Sequence, residues 1–372
     1  MDAKKRKIWL EAESNPELHS AGGDEAAGWR PRIYGDTPSF MEIPIAYTPE
    51  DLAGADAVFI GFPWEGLQQI DSTNFAETGP RPPDPDAIIA RSGAYQAPEY
   101  IRKYSVHYSL AISGGFFPEE GERFRLVDHL TIMDYRDVEV KLWDVEESSR
   151  RAIEKVGDIV RAGAVPLVFG GDHSTPYPIV KAISDYSEGK IGVINFDSHY
   201  DIGLSGRLNA ENAFGKIMDH CQADPENLAI IGIRGGSYNT PGMHKLAKDL
   251  GVSLYTNADV RRLGIEDVVR KAIEAAGRGT DRIYVSLDAD SMDPVSFPAQ
   301  KYPDPLGLSA HEIEASLRIL SRESNLCGVD LVCVGPAYDH KGVGALTACR
   351  FFIEVLKGLA VRKMASKPRS RS

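Results

Sequence analysis

The feature that most restricts this chain is a series of short, continuously apolar, β-rich runs separated by amphipathic stretches of helical length. The runs are AVFIG (57–61), VPLVFG (165–170), IGVINF (191–196), LAIIGI (228–233), RIYVSL (282–287) and VDLVCVG (329–335). Between them lie helical segments such as Glu146–Ala162, Ala272–Arg278 and Ala310–Arg322. A strand that is apolar along its whole length is covered on both faces, and strands alternating with helices make a parallel sheet. The fold class is therefore α/β.

At 372 residues the chain suits one large domain with extensions. Residues 1–50 are polar and rich in Glu, Gly, Ala and Pro, and read as an extended arm, disordered or laid on a neighbouring subunit. Residues 51–362 form the domain, and its insertion at 64–85 contains TGPRPPDPD, too Pro-rich for regular structure. Residues 363–372 read as a basic, disordered tail. A net charge of −12 argues against nucleic acid, whose binders present a basic face. No apolar run approaches the roughly 18 residues that cross a bilayer, and the N-terminus has a basic start without an apolar region behind it. Four scattered cysteines, with no CxxC pair, make neither a disulfide framework nor a zinc site, so a reducing cytoplasm is the expected home.

Three of the strands end in residues of metal-ligand type. VPLVFGGDHS places His173 just past a strand, where Gly170 and Gly171 allow a tight turn. INFDSHYD places Asp197, His199 and Asp201 two residues apart, and YVSLDADSMDP does the same for Asp288 and Asp290. Alternate side chains of a strand point to one side, so each set converges as its strand ends. In open α/β sheets, ligands bind outside the carboxyl ends of the strands, where all six residues would meet. Taken singly, GDHS reads as a plain turn and DADSMD as a solvated loop. Together they make an unpaired set of carboxylates at buried strand ends, which is costly without a compensating charge. Two imidazoles and four carboxylates without a thiolate favour Mn, Fe, Co or Ni over structural zinc. Six side chains suit two divalent ions if some carboxylates bridge, and two ions about 3.5–4 Å apart lower the pKa of a shared water toward about 7. The reaction class is metal-assisted hydrolysis by a bridging hydroxide.

At these residues the sequence resembles the ureohydrolase family of arginases, agmatinases and related guanidine hydrolases. GGDHS, DSHYD and SLDADSMDP are similar to its three signatures, in order. RSGAYQAPEYIR (91–102), IGIRG (231–235) and PAYDHKGVGALTACRF (336–351) resemble further family segments. The resemblance implies a three-layer α/β/α sandwich on a mostly parallel eight-stranded sheet, assembled as trimers or hexamers. It implies one metal held by His173, Asp197, Asp201 and Asp288, and a second by His199, Asp197, Asp288 and Asp290. Asp201 would also orient the hydroxide and take part in proton transfer. The ligand set accepts Mn or Ni.

The substrate side departs from the family. Cys333 stands where the family carries a Glu that receives the substrate guanidinium, a strong charge-assisted contact. The position of the arginase proton-shuttling His falls on Phe214, with His220 nearby as a substitute. The Thr-Gly-Thr-Pro loop reads Gln300-Lys301-Tyr302-Pro303. In one reading, Phe214 and Tyr302 are apolar walls of a reshaped pocket for guanidine itself or an N-substituted guanidine or biguanide such as metformin, and the chain is nearest in character to the guanidine and biguanide hydrolase branch. In another, it is a metal-binding but weakly catalytic subunit of a hetero-oligomer with a paralogue. An agmatinase-like enzyme is a third. Cys333→Glu is expected to gain activity toward alkylguanidines in substrate-panel assays; an unchanged substrate range would show that the position does not face the substrate.

Overall fold

The computed structural model describes residues 37–66, 93–113, 117, 124–141, 144–235 and 239–366. In chain order the strands and helices are β1 (Ala57–Gly61), α1 (Ala97–Ser105), α2 (Ser109–Ser113), β2 (Ile132–Asp137), α3 (Val145–Arg161), β3 (Val165–Phe169), α4 (Pro176–Tyr186), β4 (Ile191–Phe196), α5 (Ala213–His220), β5 (Leu228–Ile233), α6 (Pro241–Asp249), β6 (Ser253–Thr256), α7 (Asn257–Leu263), α8 (Ile265–Ala276), β7 (Arg282–Asp288), α9 (Ala310–Glu323), β8 (Leu326–Val332) and α10 (Val343–Ser366). The eight strands form one sheet in the order β2-β1-β3-β8-β7-β4-β5-β6, and every neighbouring pair is parallel.

Alternation along each strand divides the apolar residues between two cores. Ala57, Phe59, Ile194 and Phe196 face a layer built from α1, α7, α8, α9 and α10, with Ile101, Val260, Val269, Leu317 and Phe352 among its members. Val58, Ile60, Ile191 and Val193 face a second layer built from α3, α4, α5 and α6, represented by Val156, Ile179, Ile217 and Ala247. The sheet is thus buried on both sides, and the arginase-like three-layer α/β/α architecture read from the sequence is present. The sheet is all parallel rather than mostly so.

The two strands that apolar pattern misses, β2 and β6, are the two edges of the sheet. Edge strands face solvent along one side and tolerate polar residues, so IMDYRD and SLYT carry no continuous apolar run. The strand read over 329–335 is displaced: β8 occupies Leu326–Val332, and Cys333 leaves it with a left-handed φ of 58°.

The extensions also differ from the sequence reading. Part of the stretch read as an arm belongs to the core: Phe40 is buried, its ring lies 4.2 Å from that of Phe59, and its backbone N–H donates to Asp134. At the other end, α10 continues to Ser366, so 363–366 are helical rather than tail, and Lys363 pairs with both oxygens of Asp56 at 2.6 Å. Residues 1–36, most of the Pro-rich insertion and 367–372 lie outside the described residues.

The turn after β3 is locked on two sides. Gly171 C=O accepts from Cys333 N–H at 2.8 Å, and Asp172 N–H donates to Trp64 C=O at 2.9 Å. A Cβ on Gly171 would fall 1.7 Å from that Trp64 oxygen, which is backbone and cannot swing aside. Gly171→Ala is expected to lower stability by about 1–3 kcal/mol, the usual range for overpacking, read as a lower midpoint in urea melts at unchanged slope.

Candidate metal centre

The strands β3, β8, β7 and β4 are consecutive at the centre of the sheet, although the chain reaches them in separate excursions. It builds outward to β2 on one side, jumps to β4 and outward to β6, then returns through β7 and β8. The carboxyl ends of these four strands therefore surround the point where strand order reverses, the usual ligand site of an open α/β sheet.

The six residues meet there. His173 Nδ1 lies 3.1 Å from Asp197 Oδ2, 2.8 Å from Asp201 Oδ2 and 3.0 Å from Asp288 Oδ2. His199 Nδ1 lies 3.4 Å from Asp197 Oδ1 and 3.2 Å from Asp290 Oδ2. Asp197 thus turns one oxygen to each imidazole. Two groups of donors result, His173 with Asp197 and Asp201, and Asp197 with His199 and Asp290. Asp288 approaches the first group, and its Oδ1 accepts from the Asp290 N–H.

Local hydrogen bonds orient these side chains. Asp197 Oδ1 accepts from His199 N–H and Oδ2 from Asn195 Nδ2. Ser198 Oγ donates to Asp290 Oδ1 at 2.8 Å. Arg234, from the IGIRG stretch, clamps the loop after β7 by donating to the carbonyls of Asp290, Ser291 and Asp304. Asp201 is held with a left-handed φ of 47°, a conformation a non-glycine residue keeps only when its surroundings enforce it. Its carbonyl accepts from Phe214 N–H at 3.1 Å.

Behind His173 runs a chain of polar groups inside the apolar strands. Ser286 Oγ donates to Asp330 Oδ1 at 2.7 Å, and Tyr284 OH donates to Asp330 Oδ2. With its hydrogen committed to Asp330, Ser286 Oγ accepts from His173 Nε2 at 3.2 Å. That assigns the proton to Nε2 and leaves Nδ1 as a bare lone pair. Nδ1 is buried, and three carboxylate oxygens surround it. A lone pair facing three anions is stable only with a cation between them, and the donor set of nitrogen and oxygen fits a divalent metal ion.

Titration behaviour follows from the same crowding. Burial and the charge of Asp197 raise Asp201 to about 7. Burial and Asp288 raise Asp290 to about 6. Burial opposes charge on the imidazoles, but the carboxylates prevail, pushing His199 up to about 12 and His173 well above its ordinary value. Burial also raises Asp330 to about 6. Without a cation, protons take its place.

The substrate-side residues are less concentrated. Cys333 is buried, and burial together with the charge of Asp288 raises its thiol pKa well above the ordinary value. Phe214 is fully buried and sets its ring edge-on to His173 at 5.2 Å, so it presses on an imidazole of the cluster rather than standing as an open wall. Tyr302 is half-buried beside Lys301, with the ammonium 5.4 Å from its ring centre. His220 sits at the far end of α5, about 9 Å along the axis from Phe214, with Asp219 and Tyr177 as its partners. It is not brought to the cluster. Sequence reading did not single out Ser286 or Asp330; the available signal was a polar residue within an otherwise apolar strand, which burial forces to have a partner.

Residues 55–357 match the family model described as Arginase family. The chain is 30% identical to the mitochondrial guanidino acid hydrolase of Homo sapiens over 325 residues, 86% of this chain and 82% of that protein. It is 29% identical to the mitochondrial agmatinase of Gallus gallus over 324 residues, 86% of this chain and 84% of the relative. Among solved structures, proclavaminate amidino hydrolase from Streptomyces clavuligerus superposes with a TM-score of 0.72 at 26% identity, covering 88% of this chain and 98% of that one.

Because ligation requires unprotonated carboxylates and a bare imidazole nitrogen, adding Mn or Ni to metal-free protein near pH 7 is expected to release protons. Apparent affinity should rise as pH passes from about 6 to about 7, where Asp290 and then Asp201 lose theirs. Calorimetry in buffers of different ionisation enthalpy measures this, and a proton-neutral titration would contradict it.

Proposed function

The chain belongs to the arginase family, a family of hydrolases that act on C–N bonds, and from that premise we propose that it is a binuclear metal hydrolase of a compact guanidine-type compound. The best substrate is guanidine itself, an N-substituted guanidine or a biguanide such as metformin, and not arginine. The observation that carries this reading is a contrast at one end of the sheet: six donors are assembled around His173 and His199, while the residue just past β8 is the buried Cys333 and not a carboxylate. A neutral thiol offers no charge-assisted acceptor to a long cationic substrate.

In this reading His173, Asp197, Asp201 and Asp288 hold one ion, and His199, Asp197, Asp288 and Asp290 the other. When bound, the ions supply Lewis acidity that makes water nucleophilic at neutral pH. Asp201 would orient the attacking water and take part in passing its proton to the leaving nitrogen. Asp330 and Ser286 keep the His173 ring in its ligating tautomer. Nitrogen and oxygen donors accept both Mn and Ni, and supply decides between them. Among the described residues no helix is long and apolar enough to cross a membrane. Four free cysteines support a reducing, cytoplasmic setting, and we infer a trimer or hexamer.

The second reading, a metal-binding but weakly catalytic subunit paired with an active paralogue, draws on the same substitutions at Cys333, Phe214 and Lys301. An agmatinase-like activity is the third reading, supported by the similarity to the chicken agmatinase. The deciding measurement is metal content of the purified chain, with C–N hydrolysis assayed on arginine, agmatine, guanidine and biguanides. Two ions per chain and turnover of guanidine or a biguanide at least about 10²-fold above arginine are expected. Comparable turnover of arginine would sink the reshaped-pocket reading. Activity only after a co-encoded relative is added would favour the partner-subunit reading.

A further inference from the structure

The two donor groups are held in place by different means. The His173 ring is fixed from within the sheet, through Ser286 of β7 and Asp330 of β8. His199 and Asp290 lie past the ends of their strands, and the contacts that hold Asp290 converge on Arg234, the first residue after β5. The Arg234 side chain is only 9% exposed and reaches two separate segments. Nη2 donates to the carbonyls of Asp290 at 2.5 Å and Asp304 at 2.7 Å, Nη1 donates to that of Ser291 at 3.2 Å, and Nε lies 2.9 Å from Asp304 Oδ2. A planar fork of N–H groups can satisfy these four oxygens at once, and a lysine ammonium cannot. Asp304 supplies the carboxylate that a largely buried guanidinium needs.

A second set of bonds closes the circuit. Asn239 Nδ2 donates to the carbonyls of Arg234 at 2.6 Å and Ser198 at 2.7 Å. Ser198, between Asp197 and His199, turns both its Oγ and its N–H to Asp290 Oδ1, at 2.8 and 3.3 Å. Asp290 is thus held by its carboxylate from the end of β4 and by its carbonyl from the end of β5. Its Oδ2 is left facing His199 Nδ1 at 3.2 Å. None of the Arg234 side-chain bonds goes to His173, Asp201 or Asp288.

We propose that Arg234 is a positioning residue for one ion of the two: by tying the Asp290 carbonyl to Asp304 it fixes where the Asp290 carboxylate stands, and so sets the affinity of the His199 group without setting that of the His173 group. This deepens the reading above and rests on its assignment of His199 and Asp290 to the same ion. Outer partners of metal ligands commonly change metal affinity by about 10–100-fold. Here the effect falls on one ion because the supports of the two groups are separate. Asp304 belongs to the same device, since its carboxylate orients the guanidinium that holds Asp290.

The test is a calorimetric titration of the metal-free, full-length chain with Mn2+ alone, in which the wild type should show two binding steps. Arg234→Lys keeps the charge and loses the fork. It is expected to weaken one step by about tenfold or more and the other by less than about threefold. His199→Ala, which removes a ligand of the affected ion, should leave a single step, and adding Arg234→Lys to it should change that step by less than about threefold. Asp304→Asn should weaken the same step as Arg234→Lys, by a smaller factor. Equal weakening of both steps in Arg234→Lys, or a further loss of about tenfold in the His199→Ala background, marks a general structural role and overturns the proposal. Two unchanged steps overturn it as well. If Arg234→Lys does not fold, Asp304→Asn decides, and equal weakening or no weakening of its two steps overturns the proposal in the same way. A wild type that takes up fewer than two ions overturns the binuclear reading and this proposal with it, whereas two wild-type steps that Arg234→Lys weakens equally overturn the proposal alone.

Discussion

Four aspartates are forced into a space of a few ångströms at the centre of the sheet, and the rest of the structure answers to that crowding. Asp197, Asp201 and Asp288 each place an oxygen within 3.1 Å of one imidazole nitrogen. Charges so close and so enclosed repel unless something positive lies between them. Protons on the histidines and on Asp201 and Asp290 meet that need at one extreme, and divalent ions at the other. The site is thus a trap whose affinity for cations comes from what it costs to leave it empty.

Holding such a trap open requires a rigid frame. Placing the six donor side chains at the ends of β3, β4 and β7, with β8 between, makes the frame the four central strands of a sheet covered on both sides. Hydrogen bonds from Ser198, Asn195 and Arg234 then orient carboxylates and loops that would otherwise move apart. The least conventional element is Asp330, a carboxylate inside a buried strand that Ser286 and Tyr284 satisfy completely. Its position gains nothing for packing and is explained by the tautomer it imposes on His173. Phe214, itself fully buried, sets its ring edge-on to the same imidazole.

Much of the fold was legible in the chain, because each central strand is a continuous apolar run and each functional side chain directly follows one. What was not legible has a common physical origin in tertiary context. The edge strands β2 and β6 lack the apolar signature because solvent covers part of them. Phe40 looks like part of a polar arm until Phe59, Phe169 and Phe352 are seen around its ring. The last turn of α10 looks like a basic tail until Asp56 meets Lys363. Cys333 reads as a strand residue, yet it leaves the sheet because its amide and carbonyl are taken by Gly171 and Lys301.

The sequence by itself determined which side chains end which strands, since periodicity two and a terminal turn suffice to put Asp197, His199 and Asp201, or Asp288 and Asp290, on a common side. It also carried the substitutions on the substrate side, visible as residue types without their surroundings. Only the tertiary structure decided that Asp197 faces both imidazoles, that His173 is fixed through Ser286 and Asp330, and that Arg234 joins Asp290 to Asp304. Those contacts join segments far apart in the chain, and no local propensity encodes them. They exist because the strand order of the sheet, and not the order of the chain, sets which loops become neighbours.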